Sequence, residues 1–238
     1  RIVRRGERRT VLRRTADDTD PTERVVVANA DQMMMVVALA DPPPRTGLVD
    51  RALIAAYTGG LHPILCLTKT DLAAAAPFAE QFADLDLTVI TAGREEPLDE
   101  LESLLNGRIT VLLGHSGVGK STLVNRLVPQ AYRAIGSVSG VGKGRHTSTQ
   151  SVALSLPGGG WVVDTPGIRS FGLAHIRPDD VVGPFSDLAH AVENCPRGCG
   201  HRGAPADPEC ALDALTGAPA RRVTAARRLL TVLGEGEL

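Results

Sequence analysis

From Val25 onward, short unbroken apolar runs alternate with stretches in which apolar positions recur every three or four residues. The runs Val25–Val27, Met33–Ala40, Ile64–Leu67, Leu87–Thr91, Ile109–Leu113, Val152–Leu156 and Trp161–Val163 predict strands. The amphipathic stretches Leu48–Tyr57, Ala73–Phe82, Leu98–Asn106 and Ser121–Val128 predict helices between them. Continuous apolar strands separated by helices imply an α/β fold, its mostly parallel sheet covered on both faces. Before this pattern, Arg1–Thr15 reads as two short strands broken by Gly6, then a polar loop through Asp17, Asp18, Asp20 and Pro21. That segment cannot bury a core alone. With a first residue that is Arg rather than Met, it is expected to be the end of a domain that starts upstream. After Phe171 the strands stop, and the remainder reads as helical or irregular, closing with Ala220–Leu233. No internal repeat is visible.

Composition adds little at the level of the whole chain. The 238 residues, 43% hydrophobic and 22% charged with a net charge of −1, describe an ordinary globular protein. No run reaches the ~20 apolar residues that span a bilayer, and no signal-peptide pattern appears; no membrane partner is expected. Locally, Arg1, Arg4, Arg5, Arg8, Arg9, Arg13 and Arg14 crowd the start. Guanidinium forks suit phosphate oxygens, although a solvated strand pair reads equally well. Cys195, Cys199 and Cys210 cluster with His201, which suits a reducing compartment and a metal better than a disulfide. Cys66 sits in a predicted buried strand and reads as core.

Gly114-His115-Ser116-Gly117-Val118-Gly119-Lys120-Ser121, followed by Thr122, lies between the strand Ile109–Leu113 and an amphipathic helix. This is the phosphate-loop pattern. Glycines let backbone N–H groups converge on phosphates, Lys120 reaches the β and γ phosphates, and the Ser121 hydroxyl can ligate Mg²⁺. Lysine occurs only at Lys69, Lys120 and Lys143, so its use here points to a need for a compact ammonium. Asp164-Thr165-Pro166-Gly167 follows an apolar strand; Asp164 can hold a Mg²⁺-bound water, and Gly167 can offer its N–H to a γ-phosphate.

Thr68-Lys69-Thr70-Asp71, after the strand Ile64–Leu67, resembles the guanine-reading motif of GTPases. There the Asp accepts hydrogen bonds from the guanine edge that adenine cannot offer, and the Lys packs over the base. Thr68 stands where most GTPases carry Asn. The alternative is a loop in which Asp71 caps a following helix. Thr91-Ala92-Gly93, at the end of the strand Leu87–Thr91, resembles the weaker backbone motif that touches the guanine oxygen. Both base motifs precede the phosphate loop, whereas ordinary GTPases carry them after it. The motif order is circularly permuted.

In this order the chain resembles the RsgA/YjeQ family of circularly permuted GTPases. Val27-Ala28-Asn29-Ala30-Asp31-Gln32 is similar to the family's ANVDQ entry. Gly144-Arg145-His146-Thr147-Ser148-Thr149 is similar to its GRHTTT switch I, and Asp164–Phe171 reads DTPGIRSF beside DTPGFREF. The resemblance implies a GTP-hydrolysing factor in late maturation of the small (30S) ribosomal subunit, stimulated by the ribosome and touching its rRNA. It implies three parts: 1–30 as a remnant of an N-terminal OB-fold barrel, 31–175 as the permuted GTPase domain, and 176–238 as a small zinc-binding helical domain. A cytoplasmic monomer that binds GTP or GDP is expected.

Cys195-x3-Cys199-x-His201-x8-Cys210 supplies the ligand set of a closed, structural zinc site. The family spacing is similar to C-x4-C-x-H-x5-C, one residue longer first and three shorter second. The metal is expected to replace a core that this short segment cannot build, with Arg197, Arg202, Arg221, Arg222, Arg227 and Arg228 as an RNA-facing surface. For hydrolysis, Lys120 and Thr147 are expected to stabilise the transferring phosphoryl, with Mg²⁺ on Ser121 and Thr147. Ile168 occupies the position of the water-orienting glutamine, so intrinsic turnover is expected to be slow. His146 or a backbone group, ordered by the small subunit, is expected to place the water; His115 is the alternative. Other readings are a permuted GTPase of another ribosomal particle, a P-loop ATPase or nucleotide kinase, and a nucleotide-dependent RNA-binding switch with incidental hydrolysis.

Overall fold

A computed structural model describes residues 4, 6–20, 22–129, 151–165 and 172–234. Its main sheet has six strands: β3 (Gln32–Ala38), β4 (His62–Thr68), β5 (Thr88–Thr91), β6 (Ile109–Gly114), β7 (Val152–Ser155) and β8 (Trp161–Asp164). In space they run β5-β4-β3-β6-β8-β7, all parallel except β7, which pairs antiparallel with β8. Every residue of β3 is buried, because it lies between β4 and β6 with both faces covered. Met33, Met35 and Val37 point into one core, and Met34, Val36 and Ala38 into the other. Two-sided burial explains why the sequence shows an unbroken run instead of alternation. Cys66 of β4 is fully buried, and burial pushes its thiol up to about 12, as expected of a core position.

The core containing Met34 is closed by α3 (Asp99–Leu105) and α4 (Lys120–Leu127). The opposite core is closed by α1 (Thr46–Thr58) and by the C-terminal helices α5 (Pro178–Val182), α6 (Ser186–Val192) and α7 (Ala218–Gly234). Val182, Phe185, Leu188, Val223, Leu229 and Leu230 share that cluster with Leu53 and Ile54 of α1. This corrects the expectation that a metal must stand in for a missing core. The segment after 175 borrows one from the sheet, with a ring contact between Tyr57 and Phe185.

Other corrections concern local elements. Val25–Val27 does not join the parallel sheet. It belongs to β2 (Arg24–Ala28), which pairs antiparallel with β1 (Val11–Arg14) as a separate two-stranded sheet. The anticipated helix Ala73–Phe82 shrinks to α2 (Ala76–Ala79) and a 3₁₀ turn, Glu80–Phe82. Pro77 lacks an N–H, so a helix tolerates it only in the first turn. Of the two strands expected in Arg1–Thr15, only β1 appears among the described residues.

The entry motif at 27–32 acts as a structural staple. Asn29 adopts φ 61°, and its Oδ1 accepts the Arg9 N–H at 2.8 Å. Asp31 Oδ2 accepts the Ile109 N–H at 2.8 Å, and Gln32 Nε2 donates to Thr110 Oγ1 at 2.9 Å. The start of β3 is thereby fixed against β6, the strand that delivers the phosphate loop.

Four of the arginines expected to face RNA, all on α7, stand in ion pairs. Arg221 pairs with Asp84, Arg222 with Asp86 and Asp187, Arg227 with Asp213, and Arg228 with Asp50. Asp50 lies on α1 and is 2% exposed; burial raises its pKa against the lowering effect of Arg228. These arginines lock α7 onto its neighbours, because the partner carboxylates stand on the elements it packs against. A second α1 pair, Arg51 with Asp18 at 2.7 Å, reaches the loop after β1. Asp18 Oδ1 also accepts the Leu173 N–H at 2.9 Å, and Thr15 N–H donates to Gly172 O at 2.9 Å.

Candidate nucleotide site and metal cluster

β6 ends at Gly114, the chain turns through 115–119, and α4 starts at Lys120. Gly117 and Gly119 have φ of 84° and 92°, a conformation that side chains with a Cβ rarely adopt. A Cβ on Gly114 would stand 3.0 Å from Val36 O, a tight contact, so glycine there eases the close approach of the loop to β3. The Val118 side chain is buried in the α4 core; only its backbone can serve a ligand. Ser116, Gly117, Ser121 and Thr122 are exposed, while His115 is half-buried, its Nδ1 3.1 Å from Ser116 O.

Lys120 Nζ contacts the Asp164 carboxylate and donates to Thr165 O at 2.8 Å. Thr165 Oγ1 donates to Leu112 O at 2.6 Å, binding the end of β8 to β6. The ammonium thus stands between the phosphate loop and the acidic strand end, where it can exchange a carboxylate for a phosphate. The structure brings Lys120, at the end of the phosphate-loop stretch Gly114–Thr122, and Asp164 together. Gly167, His146 and Thr147, with Ile168, lie outside the described residues.

The Thr68-Lys69-Thr70-Asp71 loop stands beside the phosphate loop across a cleft of about 530 Å³. Its walls include Thr68, Lys69, Asp71, Ala92, Gly119, Thr122 and Arg126. Thr68 is 5% exposed, and its Oγ1 donates to Val118 O at 2.6 Å, with Val37 O at 3.3 Å. The residue that departs from the common Asn therefore links base loop to phosphate loop through its hydroxyl. Lys69 adopts φ 58°, its Nζ on Asp41 O. Asp71 is exposed beside it, free to meet a base edge. Ala92 N–H donates to Leu67 O at 2.8 Å, which carries the loop after Thr91 onto the same cleft.

Sequence reasoning did not single out Glu96 or Arg126. Glu96 accepts from Thr70 Oγ1 at 2.6 Å and from Gly93 N–H at 2.7 Å. Arg126 Nη1 donates to Gly93 O at 2.7 Å, and its Nη2 to Glu96 O. Thr70 and then Gly93 hold the Glu96 carboxyl below the ordinary carboxylate range.

Cys195, Cys199, His201 and Cys210 converge, their ligand atoms all within 4.8 Å of one another. Tetrahedral zinc with Zn–S of about 2.3 Å needs sulfurs a little under 4 Å apart, so the donor set and its spacing fit that ion. Burial pushes the Cys199 thiol up to about 12, with Cys210 and Cys195 adding to it and the His201 N–H opposing it. His201 is buried at φ 60°. Asp207 holds that strained turn, accepting the N–H groups of Gly200 and Arg202, both at 2.9 Å. His201 Nδ1 faces Cys195 Sγ at 3.6 Å, while Nε2 is 2.7 Å from Asp179 Oδ1 on α5. The ring therefore points Nδ1 at the metal position and can donate from Nε2 to Asp179. Carboxylate–histidine pairs of this kind fix tautomer and orientation at metal sites. Asp179 had no signal in the sequence beyond being acidic.

A family model described as RsgA GTPase matches residues 5–174. A small ribosomal subunit biogenesis GTPase RsgA of Chlorobaculum parvum is 36% identical over 222 residues, covering 89% of this chain and 70% of the relative. The Pseudomonas aeruginosa protein of the same name is 40% identical over 197 residues, covering 79% of this chain and 57% of its own. Among solved structures, YjeQ from Thermotoga maritima aligns with a TM-score of 0.62 at 24% identity, covering 96% of this chain and 77% of that one. YloQ, a circularly permuted GTPase, aligns at 0.59 and 25% identity, covering 95% and 73%. This chain thus spans 57 to 70% of the length of the two curated relatives.

Proposed function

The chain belongs to the RsgA GTPase family, and from that premise we propose that it binds and hydrolyses GTP as an assembly factor of the small ribosomal subunit. The observation that carries this reading is the Thr68 hydroxyl on Val118 O, which joins a base-reading loop to a phosphate loop across one cleft. A nucleoside di- or triphosphate is the ligand whose two ends need both loops. Relatives named as small ribosomal subunit biogenesis GTPases support the particle on which it acts.

In this reading the backbone N–H groups of 117–120 cradle the phosphates, and Lys120 leaves Asp164 for the β and γ oxygens. Asp71 selects guanine, Lys69 lies against the base, and Thr91 and Ala92 present the backbone contact. Mg²⁺, when bound, would supply positive charge that stabilises the transferring phosphoryl group; Ser121 and Thr147 would hold it, and Asp164 would hold a water bound to it. Gly167 offers an N–H to the γ-phosphate. His146, or alternatively His115, places the attacking water. We propose further that 1–30, 31–175 and 176–238 act as barrel remnant, GTPase and zinc-binding parts, with one structural Zn²⁺ on Cys195, Cys199, His201 and Cys210. Among the described residues no helix is long and apolar enough to cross a membrane; the proposed setting is a cytoplasmic monomer on rRNA.

Two measurements test this. GDP is expected to bind far more tightly than ADP, with Asp71→Ala erasing the difference. Slow GTP turnover is expected to rise on adding purified small ribosomal subunits, which should retain the protein on sedimentation with a non-hydrolysable GTP analogue and release it with GDP. Turnover that is already fast and indifferent to the subunits would overturn the assembly-factor reading. Nucleotide-dependent sedimentation without stimulated turnover would favour a binding switch with incidental hydrolysis.

A further inference from the structure

Loops that read a base gain selectivity only if they hold their place relative to the phosphates, because a purine is rigid and cannot follow a drifting wall. Beyond Thr68 and Thr91, the last residues of β4 and β5, the loops 68–71 and 91–93 are irregular backbone. Two features beyond the residues proposed to touch nucleotide bind them to each other and to α4.

The first is the Glu96 carboxylate. One oxygen accepts the Thr70 hydroxyl at 2.6 Å, between Lys69 and Asp71; the other accepts the Gly93 N–H at 2.7 Å, next to Ala92. One side chain thus spans both base loops with charge-assisted hydrogen bonds, the stronger kind. The second feature is the Arg126 guanidinium, from the last turn of the helix that Lys120 begins. It donates to Gly93 O at 2.7 Å and to Glu96 O, holding the turn 93–96 from the opposite side. A Cβ on Gly93 would stand 2.6 Å from the Glu96 carboxyl carbon, so this approach requires glycine. A helix is stiff along its length, so base loops tied to its end keep a set distance from phosphates bound at its start.

We propose that Glu96 and Arg126 form a clamp that positions the guanine-reading loops against the phosphate loop, making them specificity-determining positioning residues that need not touch nucleotide themselves. This rests on the guanine reading above and deepens it. The clamp acts on base recognition and leaves phosphate binding alone, since none of its bonds involves the backbone of 114–119.

The test measures the affinities of GDP, ADP and inorganic pyrophosphate for the parent chain, Glu96→Ala, Glu96→Gln and Thr70→Val, with thermal unfolding of each. Glu96→Ala and Thr70→Val are expected to weaken GDP roughly tenfold, equivalent to about 1.4 kcal/mol. Both should leave pyrophosphate within about twofold, shrinking the preference for GDP over ADP. Glu96→Gln, which can still accept from Gly93 and donate to Thr70, should stay within about threefold of the parent for GDP. Thr70→Val removes one hydroxyl, so it carries the test if Glu96→Ala does not fold. Unchanged GDP affinity in the alanine and valine variants overturns the clamp, as does an equal loss of GDP and pyrophosphate, the signature of general loosening. A parent that binds ADP as tightly as GDP overturns the guanine reading itself, and the clamp with it.

Discussion

Replacing Thr68 by Val should weaken both the fold and the grip on GDP. Valine keeps the branched shape, so no cavity opens, and only the hydroxyl is lost. That hydroxyl sits on a residue 5% exposed and donates to Val118 O at 2.6 Å. Its second contact, 3.3 Å to Val37 O, is long enough to leave out of the sum. Losing a donor beside a buried acceptor costs about 1–3 kcal/mol, and the gained methyl offsets part of this, leaving about 1–2 kcal/mol. For a chain of this size each kcal/mol moves Tm by roughly 2–4 °C, so a fall of roughly 2–8 °C is expected. The phosphate loop would then be released from the base loop, and GDP should bind up to about tenfold more weakly. Thr68→Ser keeps the hydroxyl and loses a methyl, so it should cost less than about 1 kcal/mol and hold GDP within about threefold. Thermal unfolding and a GDP titration on the same preparations decide the matter. A valine variant that melts and binds like the parent, or a serine variant as impaired as the valine, would refute the linking role.

Asp179→Ala should lower zinc affinity about 10- to 100-fold, read by competition with a chromogenic chelator, because His201 loses the acceptor at Nε2; an unchanged affinity would leave Asp179 a bystander. Chelation should expose Cys195, Cys199 and Cys210 to a thiol reagent while Cys66, fully buried with its thiol pushed up to about 12, stays silent until unfolding. Arg228→Ala strands the Asp50 carboxylate in the α1–α7 contact and should cost up to about 3 kcal/mol in urea unfolding at neutral pH, the low end for a broken buried pair because Arg228 is 31% exposed. Burial raises the Asp50 pKa above its unfolded value and Arg228 opposes this, so in the variant the pKa rises further and the defect should shrink as pH falls through the variant's raised value. Glu96 has the opposite sign. Its lowered pKa means its contribution is complete above the ordinary range near ~4.3 and is lost as pH falls through the lowered value. The stability profiles of the parent and Glu96→Gln should therefore change relative to one another only in acid.

Much of the site was legible from order and spacing alone. A phosphate loop needs glycines at the positive-φ positions 117 and 119, a lysine after them and a strand–helix frame, and each is a local property of the chain. The permuted order is likewise a fact of sequence, as is a three-cysteine, one-histidine set. Continuous apolar runs foretold β3, β4 and β6 because those strands are covered on both faces.

Tertiary structure decided what local pattern leaves undetermined. The run at 25–27 has the strand signal of the central sheet, yet its pairing with β1 depends on a partner outside that sheet. The arginines of α7 look like a basic surface until Asp50, Asp84, Asp86, Asp187 and Asp213 stand opposite them. A carboxylate between 14 and 178 residues away cannot be seen in a charge run. In the sequence Thr68 only departs from the common Asn; its link to the phosphate loop shows in the 2.6 Å from its hydroxyl to Val118 O. Glu96, Arg126, Asp179 and Asp207 belong to the same class. Each acts by holding another residue in place, and that depends on the distance between two points of a folded chain. Sequence determined which chemistry this protein carries, because reactive groups come as residue types at short spacing. Packing alone decided which residues keep that chemistry in position.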